Sequence, residues 1–258
     1  MTSYDSKFYD RIGEGSVTSA EAVIPVILEF VEPESVVDLG CGTGAWLRTL
    51  QRLGSCKEIL GIESGQVDPT QLLIPVENTC SVDVSKPFDV GRRFDVAMTL
   101  EVAEHLPPEA AKTFVENLTR LSDVVIFSAA IPGQKGRNHV NMQYPSYWQK
   151  LFNEFGYELA DVLRSKIWSN EEVKFWYRQN ILFFCNRSGL DKFPKLSSAA
   201  ATHSNLAIDI VHPEMLKKVI DENKERLAEV HTTYKARISD AKKDIWERAR
   251  KKFGSAQD

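Results

Sequence analysis

From Thr18 to Asn186, short apolar runs alternate with stretches whose apolar residues recur at helical spacing, and few architectures accommodate that alternation. "TSAEAVIPVILEFV" shows helical periodicity behind a Thr18 or Ser19 cap, with Glu21 in the first turn. "SVVDLG" reads as a strand and "AWLRTLQRLG" as a helix closed by Gly54. "EILGIE", a weaker "NTCSVDV", "FDVAMTLE" and "DVVIFSAA" follow as strands, with helices at "PPEAAKTFVENLTRL" and "PSYWQKLFNEFGY". "ELADVLRS" and "WYRQNILFFCN" read as late strands. Strands without a polar face, interleaved with helices, predict an α/β chain whose parallel sheet is covered on both faces.

At 258 residues the chain suits one such domain with an appendage. Residues 1–20 are polar and aromatic, with a turn-like "GEGS", and read as a cap segment; residues 21–187 form the domain. Residues 188–211 are small and polar and read as a linker. Residues 212–258 carry a long, charged, amphipathic helix pattern through Leu216, Ile220, Leu227, Val230, Tyr234, Ile238, Ala241 and Ile245, with a drift near Ile238 that a strict heptad would not allow. That helix could lie back on its own domain, mediate homo-oligomers, or touch a membrane or partner through its basic residues.

A net charge of -4 and 43% hydrophobic residues describe an ordinary soluble chain and give no support to a nucleic-acid partner, which needs a basic excess. Cys41, Cys56, Cys80 and Cys185 are scattered and read as reduced thiols. No apolar run approaches the ~18 residues that span a bilayer. The N-terminus carries charges where a signal peptide needs an apolar core, so a cytoplasmic location is expected.

"VVDLGCGTGAW", Val36 to Trp46, holds three alternating glycines behind the first strand. Gly40-Cys41-Gly42-Thr43-Gly44-Ala45 satisfies a dinucleotide fingerprint, and Glu63 lies where a ribose carboxylate belongs. Asp38, however, points a carboxylate at the mouth of the loop, where it would repel a pyrophosphate and favour the ammonium and sulfonium of S-adenosylmethionine (SAM). Asp83 follows the third strand, where an adenine amino group could be met.

These residues resemble the class I SAM-dependent methyltransferases over most of residues 4–187. The resemblance implies a Rossmann-like fold with a mostly parallel seven-stranded sheet, helices on both faces and a C-terminal helical extension. It implies that Asp38 and the loop of Gly40, Cys41, Gly42 and Gly44 hold the methionine part of SAM. Glu63 would take the ribose hydroxyls, Asp83 and the Val84 backbone the adenine edge, and Leu100, Glu101 and Val102 would flank the cofactor. In such folds the N-terminal segment covers the cofactor, so Tyr9, Ser16 and Ser19 are candidate contacts, with helix capping the competing reading for Ser19.

Methyl transfer is a direct displacement, and an alcohol acceptor benefits from a base or a metal. Glu104, His105 and His139 are the candidate catalytic groups, placed after the fourth and fifth strands at the carboxyl edge of the sheet. Asn141, Gln143, Tyr144 and Trp148 are candidate acceptor contacts, Trp148 being equally suited to the core. Glu101, Glu104, His105 and His139 form a hard-metal set and resemble, in those four positions, the metal-dependent small-RNA 2′-O-methyltransferases. "E-H-L" occurs equally in methyltransferases without a metal, so SAM is the one required cofactor in this reading.

"FSAAIPGQ…HVN…YPSYW", "LF…GY" and "WYRQN" also resemble a bacterial methyltransferase group placed beside sugar and polysaccharide genes, from which Met142 departs where an acidic residue is expected. The expected activity is O-methylation of a sugar, glycan or other polar small molecule. The alternatives are a metal-dependent RNA 2′-O-methyltransferase and a noncatalytic SAM-fold scaffold assembled through its C-terminal helix.

Overall fold

A computed structural model describes residues 6–65, 67–203 and 207–253, with the side chains of 6–14, 202–203, 245–247 and 249–253 outside that description. Tyr9, expected near the cofactor, therefore lies outside the described side chains. The chain divides into a unit up to His212 and a second from Pro213.

In the first unit, β1 (Ser35–Leu39), β2 (Glu58–Glu63), β3 (Thr79–Ser81), β4 (Val96–Leu100) and β5 (Val124–Ser128) run parallel, while β7 (Leu182–Cys185) is antiparallel to β5 and β6 (Glu158–Ala160). The order is β3-β2-β1-β4-β5-β7-β6. The chain starts at the centre, winds outward through β2 and β3, then returns to the other side of β1. β1 and β4 thus diverge at a switch point, and their carboxyl ends border a crevice.

β1, β4, β5 and β7 bury both faces. Along β1, Val36 points into one core with Ile24, Ile27, Leu47 and Leu50, while Val37 and Leu39 point into another with Phe114, Leu118 and Phe152. β4 and β5 split the same way, Met98 and Ile126 to the first core, Ala97 and Phe127 to the second. The alternation of a pleated strand therefore leaves no solvent-facing position along β1, β4 and β5, which is why these strands read as largely apolar runs. α1 (Ser6–Leu28) and α2 (Ala45–Leu53) cover the first face; α3 (Ala111–Leu121) and α4 (Pro145–Glu154) cover the second.

Three expectations need correction. α1 is continuous through "GEGS", so Thr18 and Ser19 cap nothing; Ser19 is buried inside the helix and its Oγ accepts from Lys174 N at 3.1 Å. "WYRQNILFFCN" is not one strand. Its first part is α6 (Phe175–Asn180), which follows the short α5 (Arg164–Ile167), because Gln179 and Asn180 are buried in side-chain hydrogen bonds rather than a ladder. Residues 188–211 are largely helical: α7 (Arg187–Lys192) and α8 (Pro194–His203) place Leu190, Phe193, Leu196 and Ala199 against the first core. That periodicity was hidden among serines and alanines. Beyond α8 the backbone is clasped, Arg164 donating to the carbonyls of Ala207 and Ile208, and Ser146 to Asp209.

The second unit holds α9 (Pro213–Phe253), a helix of 41 residues. Among the described residues no helix is long and apolar enough to cross a membrane.

Candidate active site

The glycine loop leaves β1 after Leu39 and turns at once. Gly40, Gly42 and Gly44 all have positive φ, at 78°, 54° and 82°. Gly40 and Cys41 donate to Ile62 O, keeping the loop pressed on β2. A Cβ on Gly40 would come within 2.3 Å of Val102 Cγ2, so the loop and the turn after β4 touch backbone to side chain. Gly40→Ala should therefore lower stability by about 1–3 kcal/mol and weaken SAM binding together, as read by denaturant melts with and without SAM.

Asp38 is only 3% exposed. Burial first, and then the Glu63 carboxylate, push its pKa well above the ordinary range, and no hydrogen bond offsets them. A group held this way is short of a cation. Glu63 accepts from Gly42 N at 3.0 Å and Ser64 N at 2.9 Å, which fixes its carboxylate across the loop. Cys41 fills the space against Gly61, and its thiol is held neutral by burial and then by Asp38 and Glu63. Asp83 turns toward its own loop, accepting from Ser85 and pairing with Lys86 at 3.1 Å; Val84 N donates to Ser64 Oγ at 3.4 Å.

β4 ends at buried Leu100, and Glu101 follows at φ 59°, an unusual conformation for a side-chain-bearing residue. Its N–H donates to Ser128 at both O and Oγ. Its carboxylate accepts from Gln134 Nε2 at 2.6 Å and from Asn180 Nδ2 at 3.1 Å. Asn180 Nδ2 also donates to Gln134 Oε1, Gln179 Nε2 donates to Asn180 Oδ1, and His212 N donates to Gln179 Oε1. Gln134, Gln179 and Asn180 were not singled out from sequence; an amide pair, Gln179 and Asn180, directly before the apolar run that begins at Ile181 was the available signal. Tyr177, on the same helix, packs edge-on against Trp46 at 5.0 Å and lies 3.5 Å from Ser16 Oγ.

One turn on, Glu104 is fully buried, and neither carboxylate oxygen has a hydrogen-bond partner among the described residues. Burial, reinforced by Glu101, raises its pKa well above the usual range. Glu104 O receives Val140 N and Asn141 N, which ties the 132–144 loop to this turn. His139 Nδ1 lies 3.0 Å from Gln134 O, so that ring edge donates and Nε2 keeps its lone pair, 3.9 Å from Glu104 Oε1. The His139 ring lies flat over Gly136, where a Cβ would sit 2.0 Å from Nε2; only glycine permits that approach. His105 meets His139 edge-to-face at 4.8 Å. Burial and His139 lower the His105 pKa to about 4, and burial lowers that of His139 below 6.5. Both imidazoles are therefore neutral at pH 7.

Ligand atoms of Glu104, His105 and His139 lie within 4.8 Å of one another. The unpartnered Glu104 oxygens and two neutral imidazoles fit a divalent cation. Glu101, expected as a fourth ligand, is instead engaged by its two amides.

Asn141 is buried with its Nδ2 unpartnered, and its Oδ1 accepts from Gln143 Nε2 at 3.1 Å. Tyr144 is 42% exposed at the rim. Trp148 does not wall a pocket. It is 1% exposed and packs at 5.1 Å on Phe127 in the second core, because its place on α4 faces the sheet.

A carboxylate-fronted glycine loop at the switch point of a seven-stranded, doubly wound sheet defines a nucleoside-cofactor enzyme of the α/β class. A family profile described as a methyltransferase domain matches residues 18–162, and the chain belongs to that family, the class I SAM-dependent methyltransferases. SAM is its cofactor. Among solved structures, DesVI of Streptomyces venezuelae is similar at TM-score 0.53 and 13% identity, over 72% of this chain and 100% of that one. The sugar N-methyltransferase KedS8 from Streptoalloteichus sp ATCC 53650 is similar at TM-score 0.51 and 14% identity, over 72% and 97%. Magnesium protoporphyrin IX methyltransferase from Synechocystis PCC 6803, with bound SAM, follows at TM-score 0.49 and 17% identity, over 72% and 86%. No curated protein matches the sequence.

Proposed function

We propose that the enzyme transfers the methyl group of SAM to a hydroxyl of a sugar, glycan or other polar small molecule. Asp38 and the Gly40–Gly44 loop take the ammonium and methionine part, Glu63 the ribose, and Asp83 with Val84 the adenine edge. Asp83 would have to exchange a bond to Ser85 or Lys86 for one to adenine.

The observation that carries an oxygen acceptor is the neutral His139 imidazole, its Nδ1 bonded to Gln134 O and its Nε2 facing the buried Glu104 carboxyl. An amine attacks as its free base and needs no proton removed in the transition state; a hydroxyl does. His139 Nε2 accepts that proton as the acceptor oxygen bonds to the methyl carbon and the carbon–sulfur pair returns to sulfur, leaving S-adenosylhomocysteine. His105 orders the 132–144 loop by its contact with His139. Asn141 and Gln143 offer amide groups to a polyol, with Tyr144 at the rim.

A second reading places a divalent cation on Glu104, His105 and His139, favoured by the unpartnered Glu104 oxygens. Such an ion would lower the pKa of a bound hydroxyl and replace the base.

One experiment separates these readings: labelled SAM is incubated with reduced sugars, amino sugars and cell-extract glycans, with and without chelator. Label on oxygen that survives chelation is the expected result, with kcat/KM falling on the acid side at a pH below the ordinary imidazole range, because burial lowers the pKa of His139. Label on nitrogen would overturn the oxygen acceptor. Loss of turnover on chelation, accompanied by a melting shift on adding back magnesium or manganese, would establish the metal reading.

A further inference from the structure

α9 displays an ordered distribution of charge over its exposed surface. Leu216, Leu227, Val230 and Tyr234 are 54, 68, 61 and 63% exposed, with Ile220 and Ile238 less so. The stripe repeats every eighteen residues, Leu216 to Tyr234 and Ile220 to Ile238. Eighteen residues are five turns at about 3.6 residues per turn, so the stripe runs straight along a helix of ~60 Å. A heptad seam would instead wind round a partner helix, and the step from Tyr234 to Ile238 breaks it.

The lysines of one border follow the same period. One border of the stripe carries Lys217, Lys224, Lys235 and Lys242, with His231 among them; the other is mixed, Arg226 and Arg237 sharing it with Glu222 and with Asp244, eighteen residues after Arg226. Lys217 and Lys224 are themselves eighteen residues before Lys235 and Lys242. Glu214, Asp221, Glu225, Glu229 and Asp240 fall on the opposite side of the helix. Four lysines therefore line one edge of the apolar stripe, Lys224 pairing with Asp221 at 3.6 Å, while charges of both signs share the rest of the helix.

Self-association would bring this arrangement against itself. In an antiparallel pair the lysine border of one copy meets the lysine border of the other. Like charges at those positions oppose pairing. A flat, negatively charged, apolar surface complements two features at once: the straight stripe and the lysine border along it.

We propose that α9 lies on an anionic lipid surface, with its apolar stripe at the headgroup–acyl boundary and its lysines and arginines reaching lipid phosphates. The stripe has only one or two large side chains per turn and no charge-independent anchor, so binding depends on anionic lipid and on low salt.

The test is flotation of the full chain with phosphatidylcholine vesicles, with and without about one-third phosphatidylglycerol. Binding is expected only with phosphatidylglycerol, and should fall at least about tenfold in the quadruple variant Lys217→Glu, Lys224→Glu, Lys235→Glu, Lys242→Glu or on raising salt toward 0.5 M. Leu227→Asp with Tyr234→Asp should abolish it. Circular dichroism and SAM titration establish that each variant still folds. Absence of flotation with phosphatidylglycerol vesicles would overturn the proposal. So would a concentration-dependent dimer that Leu227→Asp with Tyr234→Asp dissolves, or capture by an acidic protein helix without vesicle binding.

Discussion

Asp38→Asn is expected to lower SAM affinity by roughly 30- to 200-fold, the loss of one charge-assisted hydrogen bond worth about 2–3 kcal/mol. The same change should raise the melting temperature of the cofactor-free protein. Asp38 is buried beside Glu63, and its folded pKa is raised. A carboxyl with a raised folded pKa contributes its full stability below its unfolded pKa, near 3.8, and loses it as pH climbs through the folded value. At neutral pH the group thus opposes folding until a cation arrives. Wild-type stability without SAM should decline as pH rises above about 4 through this group, and the asparagine variant should show a flatter profile. Calorimetry and thermal melts across pH read both quantities. Unchanged SAM affinity would remove Asp38 from the cofactor site, while a less stable variant would mean that its carboxylate has a partner in the free protein.

His139→Ala should leave the SAM dissociation constant within about threefold and reduce turnover by roughly 100- to 10,000-fold, the range for loss of a positioned general base. His139 sits on the loop that Glu104 O holds through Val140 N and Asn141 N, away from the glycine turn. Its removal deletes a proton acceptor without touching Asp38 or Glu63. Glu104→Gln complements it. If the carboxyl merely tunes His139, the amide retains measurable turnover; if it ligates a metal, the variant loses the melting shift given by added manganese. Equal losses of SAM affinity in His139→Ala and Asp38→Asn would place His139 on the cofactor instead.

The sheet was legible because β1, β4 and β5 bury both faces and so appear as largely apolar runs between helical stretches. The glycine loop was legible because backbone at positive φ favours glycine, and Gly40, Gly42 and Gly44 all adopt it. Trp148 illustrates the opposite case: an aromatic residue at the head of a helix suits a pocket or a core, and only the orientation of α4 against Phe127 decides. Glu101 was read as a cofactor neighbour or metal ligand, yet its carboxylate is committed to Gln134 and Asn180, which lie 33 and 79 residues away in sequence. Such long-range amide pairing leaves no local pattern. The helices α7 and α8 escaped notice because serine and alanine carry little hydrophobic contrast, although Phe193 and Leu196 anchor them in the core.

The hydrogen bonds from Glu101 through Gln134, Asn180 and Gln179 to His212 N all run with one sense, every amide having its oxygen and nitrogen assigned by its neighbours. Reversing one amide would set donor against donor along the rest. Members of this set cannot drift singly during divergence of the enzyme; they must be exchanged together or retained. Adaptation to new acceptors would then be left to the rim, at Tyr144, Gln143 and the loop around His139, while the floor beneath stays the same.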